Sequence, residues 1–359
     1  MSIKNMLKQM AERKASDLFY RVGGPIRFKI DGALVALDDK ILTAEDLTQA
    51  VEDLTTPKQR EVFKNKLDVD FAVYVAELDL RFRVSVFMQR NWPSIVVRIV
   101  NKEVQTFENL NLPANILKRL SMEKRGLVLL TGSMGSGKST TIASMIEYIN
   151  INSKKHILTV EEPVEYTFKD KGSLINQREL GIDVTTYQSA LRALTLQSPD
   201  VIFISNICDL ETMSSAITAA ETGVLVLSTL HTINAAQSIE RIINFFPIHH
   251  HQEVRNQLSF LLKGVISLRL VPSISGTGRV PAYEIMLLTP TISRLIKEGK
   301  ISEISKFIDE GVILGMQSFN QSLVKLVREG KVREEQAAEF SDNKDEFFQI
   351  LRGIKRREG

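Results

Sequence analysis

The sequence predicts two α/β domains joined by a short linker, the second a parallel sheet built around a phosphate-binding loop and trailed by helices. Three observations predict this. The chain has 359 residues, too many for one compact core. Its hydrophobic pattern changes near residue 100 from two-residue alternation to short apolar runs separated by helical stretches. And an octapeptide, GSMGSGKS at 132–139, follows one of those runs and opens a helix.

Composition sets the outer bounds. The chain is 43% hydrophobic and 25% charged, values of a soluble globular protein. A single cysteine, Cys208, has no partner for an internal disulfide, so no oxidising compartment is implied. The start, MSIKNMLKQMAERK, lacks the apolar centre of a signal peptide. No apolar run approaches the roughly 18 residues that a membrane span needs. The net charge of +3, spread over the whole chain, is a weak argument for nucleic acid, and no nucleic-acid partner is expected. The basic ending KRREG reads as a frayed, solvated tail.

The elements follow in order. Residues 4–14 read as a short amphipathic helix. Strand patterns cover Asp17 to Val22, Arg27 to Ile30 and Ala33 to Leu37, with Asp31-Gly32 as a hairpin signal. Thr43 caps a helix to about Leu54, with Asp46 as an imperfect capping box, and Pro57 opens another after Thr56. A long two-period stretch runs from Val69 to Val100, with a charged turn near Glu77–Asp79. Residues 1–100 are therefore an α+β domain with a mainly antiparallel sheet. The segment NKEVQTFENLNLP (101–113) is the linker, and a helix covers about Ala114–Glu123. Within 114–288, GLVLL, HILTV, VIFI and VLVLSTL alternate with helical segments, which predicts a parallel sheet covered by helices. From about Thr289 to residue 359 the chain turns helical.

The octapeptide fits G-x-x-x-x-G-K-[ST]. Gly132, Ser133, Met134, Gly135, Ser136 and Gly137 can fold so that successive N–H groups point at phosphate oxygens. Lys138 supplies an ammonium for the β and γ phosphates, and Ser139 a hydroxyl for Mg²⁺, with Thr140 next on the helix. The helix start adds the positive end of its dipole. ATP and Mg²⁺ are the expected ligands.

Other chemistry is expected where neighbouring strands end, because ligands of open α/β sheets bind there. HILTVEEPVE places Glu161, Glu162 and Glu165 just past a strand. Alone they read as a solvated acidic turn; beside a phosphate loop they read as groups for a cation or a reacting water. SPDVIFISNICD ends a second buried strand at Ser205-Asn206. An amide orients water but takes no proton from it, and whether nearby Asp209 or Glu211 substitutes stays open. His231 ends a third strand and is either a structural hydrogen-bonding group or a γ-phosphate sensor. The run His249–His251 reads as an exposed loop, since consecutive side chains diverge. Arg81 and Arg83 share one face of a strand, with Arg90 and Arg98 in the same domain; that face is either solvated or turned to a triphosphate.

These segments resemble a known family. ASDLFYRVGGPIRFKIDG, RFRVSVF, KRGLVLLTGSMGSGKSTT, VEEPVEY, INQRELG, LRALTLQSPDV, DLETMSSAITAAETG, STLHTINAAQSIERIINFFP and GMQSFNQSL are similar to type IV pilus retraction ATPases of the PilT/PilU kind, closest to PilU-like paralogues, within the secretion-ATPase superfamily. The resemblance covers nearly the whole chain. It implies a PAS-like first domain, a RecA-like second domain and a ring of six subunits, homomeric or mixed with a paralogous motor. It also implies a cytoplasmic protein peripheral to the inner membrane, acting on a membrane platform protein. VEEPVEY corresponds to the family's Asp box, with Glu162 where aspartate is usual. STLHT matches the His box and carries the phosphate-sensor role to His231. Arg81, Arg83 and Arg98 match first-domain arginines near the nucleotide. One departure stands out. The family's Walker B stretch usually ends in Gly-Glu, then Met or Ile and Arg-Asp; here it reads Ser205, Asn206, Ile207, Cys208, Asp209. The catalytic glutamate is replaced by Asn206. TISRLIKEGK also keeps the apolar spacing of a C-terminal motif while losing polar positions. Loss of a general base typically costs about 10²–10⁴ in rate, so nucleotide binding is better supported than fast hydrolysis.

Overall fold

The computed structural model describes residues 3–30, 33–100, 103–276 and 278–354. The Asp31-Gly32 hairpin turn and the KRREG tail lie outside the described residues. The chain divides into two compact units: residues 1–103 with 165–167, and residues 104–164 with 168–359.

In the first unit, α1 (Ile3–Glu12) precedes β1 (Asp17–Arg21), β2 (Arg27–Ile30) and β3 (Ala33–Ala36). Helices α2 (Ala44–Leu54) and α3 (Pro57–Lys66) follow, then β4 (Asp68–Val75), β5 (Leu80–Gln89) and β6 (Trp92–Ile99). The strands form one antiparallel sheet in the order β3-β2-β1-β6-β5-β4. Both helix starts carry complete capping boxes, Thr43 with Asp46 and Thr56 with Gln59. Asp46 thus closes a box that the sequence pattern left imperfect, because its shorter carboxylate still accepts from the Thr43 N–H. The turn between β5 and β6 is Arg90-Asn91, both with positive φ, which has no glycine to announce it. Alternation along β5 buries Phe82, Val84 and Val86 against Met6, Leu7 and Leu47, and leaves Arg81 and Arg83 on the opposite face.

The second unit opens with α4 (Ala114–Ser121). Strand β7 (Gly126–Thr131) leads into α5 (Lys138–Asn152), then β8 (His156–Glu161), β9 (Leu174–Glu179), α6 (Tyr187–Gln197), β10 (Val201–Ile204), α7 (Leu210–Glu221), β11 (Leu225–Leu230) and α8 (Ala235–Ile243). Next come α9 (His251–Leu261), β12 (Leu262–Pro272) and β13 (Arg279–Leu287). The sheet order is β13-β12-β7-β11-β10-β8-β9. All neighbours pair in parallel except β12 with β13. Every residue of β7, β10 and β11 is buried, as expected of strands covered on both faces.

The strands β9, β12 and β13 and the helices α6 and α9 go beyond the sequence-based elements; the run His249–His251, read from the sequence as a loop, is a 3-10 turn that leads into α9 at His251, and β13 makes the sheet mixed. Lys263, Gly264 and Arg269 break the apolar run of β12, so its pattern alone does not mark a strand. Helices α10 (Pro290–Glu298), α11 (Ile304–Glu310), α12 (Phe319–Arg328), α13 (Glu334–Glu339) and α14 (Lys344–Leu351) complete the chain. The last three build a separate small core around Phe319, Leu323, Val332 and Phe347 on Val271 and Ala282 of the β12–β13 hairpin.

Candidate nucleotide site

The ends of β7, β11, β10 and β8 lie side by side on one edge of the sheet. The phosphate loop, the His231 loop, Ser205-Asn206 and Glu161-Glu162 therefore share that edge because of the strand order.

The loop needs its glycines. Gly132 has φ +145°, and a Cβ there would lie 2.5 Å from the Leu268 carbonyl oxygen and 2.4 Å from Ser136 Oγ. Gly137 caps α5 in the left-handed region, φ +98°. Lys138 is buried, and its Nζ donates to the carbonyls of Gly132 and Ser133, each at 2.8 Å. Ser136 Oγ is buried and meets no acceptor or donor. An orphaned hydroxyl inside a turn of backbone that only glycine fits is the mark of a cradle shaped for an external polar group. Ser139 and Thr140 stand half-buried on the first turn of α5, while Ser133, Met134 and Gly135 form the exposed outer arc.

His231 Nδ1 lies 3.5 Å from Lys138 Nζ. An ammonium only donates, so that contact makes Nδ1 the acceptor and puts the ring proton on Nε2. Partial burial, followed by the Lys138 charge, holds the imidazole below its usual range and favours the neutral form. Beyond it a cavity of about 390 Å³ is lined by Asn206, Cys208, His231, Thr232, Gln237 and Arg241 among others. Asn206 Oδ1 is buried with no hydrogen-bond partner.

The acidic turn divides. Glu161 is buried and accepts from Thr159 Oγ1 at 2.6 Å and Gln177 Nε2 at 3.1 Å. Glu162 is exposed, and its backbone N–H donates to Ser205 Oγ at 3.1 Å. Neutral donors thus absorb part of the repulsion expected from adjacent carboxylates, and only Glu162 of this pair turns outward. Tyr187 Oη sits 2.8 Å from Ser205 Oγ. Burial pushes the Tyr187 phenol up to about 12, opposed by the Ser205 hydrogen bond and reinforced by Glu162. Tyr187, Ser205 and Glu162 form a chain of contacts that the sequence did not announce; the tyrosine opens a helix with no motif of its own.

Asp209 caps α7, accepting from the Thr212 N–H at 2.8 Å. Burial raises its carboxyl, but the Thr212 hydrogen bonds outweigh that and leave it lowered. Its carboxylate is engaged in holding a helix start. His250 pairs with Glu253 at 3.0 Å and His251 Nε2 contacts the Phe246 carbonyl at 2.9 Å. Within the first unit, Arg83 lies 3.8 Å from Asp70, and Arg98 Nε donates to buried Asp17 at 2.8 Å. Arg98 therefore neutralises a buried acid of its own sheet.

A phosphate loop between a buried parallel strand and a helix, with acidic, amide and imidazole side chains on the same strand ends, defines a P-loop ATPase. The chain belongs to the Type II/IV secretion system protein family, whose pattern matches residues 1–338. It is 38% identical over 352 residues to the type IV pilus ATPase PilU of Pseudomonas aeruginosa, covering 98% of this chain and 92% of that protein. It is 40% identical over 347 residues to the retraction ATPase PilT of the same organism, covering 97% and 100%. Its fold matches a crystal structure of the pilus retraction motor PilT with bound ADP at a TM-score of 0.89 and 40% identity, over 96% of this chain and 98% of that one. No helix among the described residues is long and apolar enough to cross a membrane.

Proposed function

We propose that this chain is an ATP-binding motor subunit of type IV pilus retraction, working as a homo-hexamer against a platform protein at the inner membrane. The observation that carries this reading is the loop 132–139, whose fold excludes any side chain at Gly132 and which buries an unpartnered Ser136 hydroxyl. Lys138 would exchange its two carbonyl partners for β and γ phosphate oxygens. Ser139 and Glu162 would hold Mg²⁺, which supplies charge neutralisation on the phosphates when bound. Among the described residues no three His, Cys, Asp or Glu side chains gather to hold a metal, which suits an ion completed by substrate phosphates and water. His231 would sense the γ-phosphate beside Lys138. The family resemblance offers Arg81, Arg83 and Arg98 as guanidinium groups for the triphosphate.

Turnover is slow in this reading, because the amide of Asn206 takes no proton from water. That same amide, standing where the family resemblance expects a glutamate and with its Oδ1 buried and unpartnered, favours a second reading, in which the chain is a nucleotide-binding accessory subunit of a paralogous retraction motor. ADP calorimetry and ATP turnover, each with and without a PilT-type motor, separate them. Turnover by the chain alone, however slow, that is lost in Lys138→Ala supports the motor. Turnover only alongside the paralogue, raised by orders of magnitude in Asn206→Glu, supports the accessory. Absence of ADP uptake by folded protein sinks both.

A further inference from the structure

One buried carboxylate has no part in the chemistry above. Glu284, on β13, is among the most buried acids of the described residues and stands in register with Ser267 of β12, which in turn stands opposite Thr131 of β7. Its Oε1 accepts from the Ala235 N–H at 2.7 Å and from Ser267 Oγ at 3.3 Å. Thr131 Oγ1, one residue before the loop, donates to Ser267 Oγ at 2.9 Å. Ala235 is the first residue of α8, directly after the loop 231–234 that carries His231.

The first N–H groups of a helix lack partners within it. Here Asn234 Oδ1 takes the Gln237 N–H, and the Ala235 N–H, fully buried, is left to Glu284. One carboxylate therefore joins two pieces of the site: through Ala235 it fixes where the His231 loop ends, and through Ser267 and Thr131 it fixes where the phosphate loop begins. Lys138 and His231, 3.5 Å apart, are the tips of those two pieces. We propose that Glu284 is a positioning residue, setting the spacing between His231 and the phosphate loop by bridging the Ala235 amide to Ser267 and Thr131.

A glutamine keeps the acceptor oxygen and loses the charge, whereas an alanine removes the bridge, so the two variants separate geometry from electrostatics. The inference rests on the nucleotide-site reading only for its kinetic arm. In nucleotide-free protein, hydrogen exchange at Ala235 and the His231 imidazole titration by NMR report the bridge directly. With Glu284→Ala the Ala235 amide should exchange at least about tenfold faster, as expected for a buried donor stripped of its acceptor. The His231 titration should move toward the ordinary range as Lys138 and His231 separate. Glu284→Gln should restore both. In ATP turnover, alone or with the PilT-type motor, Glu284→Ala should lower kcat about tenfold with KM nearly unchanged, a loss confined to the transition state. Ser267→Ala, a milder change in a protein with an intact Glu284, should shift His231 in the same direction if Glu284→Ala fails to fold. Folded Glu284→Ala or Ser267→Ala with wild-type His231 titration and wild-type exchange at Ala235 overturns the proposal, whatever ADP does. Loss of ADP binding in the wild type alone overturns the nucleotide reading and leaves the bridge standing.

Discussion

His231 titrates below the usual histidine range because it is partly buried and faces the Lys138 ammonium. For a base held down in the folded state, native stability is present above its ordinary value and is lost as pH falls through the folded one. A bound polyphosphate reverses the local charge and should draw a proton onto the ring. With a non-hydrolysable ATP analogue, the His231 titration should move upward, and affinity should rise as pH falls between the free and bound values. An imidazole titration unmoved by the analogue would remove His231 from the phosphate's surroundings. At the same scale, Ser205 and Tyr187 show why parts of the site were illegible. Ser205 reads in sequence only as a departure from glycine; in the fold its hydroxyl joins the Glu162 backbone to a phenol from another helix. Glu284 sits in the run AYEIML, where alternation cannot reveal that its carboxylate is sealed among β12, β13 and α8.

Elements show the reverse. The loop-to-helix step was legible because its needs are local: glycines at turning points, a lysine and a serine at a helix start. Gly132→Ala tests that locality. Its Cβ would strike backbone at Leu268, so ADP uptake should vanish, and stability should drop by about 1–3 kcal/mol as for other overpacked sites. Unchanged ADP affinity in this variant would mean the loop has a different resting shape. The buried strands β7, β10 and β11 were equally legible from unbroken apolar runs. By contrast β12 and β13 carry lysine, arginine, glycine, proline and glutamate, and become strands through pairing with β7 and with each other. A partner as distant in the chain as β7 leaves no local period to read in β12, and β13 depends on β12 in turn.

Across the whole molecule, the Glu284 carboxyl makes stability depend on pH. Burial raises it to about 7, opposed by the Ala235 hydrogen bond, with Asp342 raising and Ser267 and Arg269 lowering it. An acid raised in the folded state contributes stability below its unfolded value, near 4.5, and that stability is lost as pH climbs through about 7. Relative to Glu284→Gln, whose amide does not titrate, the wild type should lose on the order of 3 kcal/mol between pH 4.5 and 8. Denaturant melts at several pH values check this; parallel profiles for the two proteins would contradict it. The linkage spans distant parts of the chain, since Arg269 and Asp342 belong to β12 and the helical C-terminal region.

Arg269 deepens that connection. Its guanidinium lies 3.7 Å from the Phe319 ring centroid, donates to the Phe340 carbonyl at 2.6 Å, pairs with Asp342, and reaches the Ile233 carbonyl at 3.5 Å. A premature stop codon upstream of Phe340 would therefore take away two acceptors from a side chain that also steadies the residue two past His231. Truncated alleles of this kind should behave as lesions of the candidate nucleotide site itself, and a loss of function in such a strain would say little about whether the tail meets other proteins.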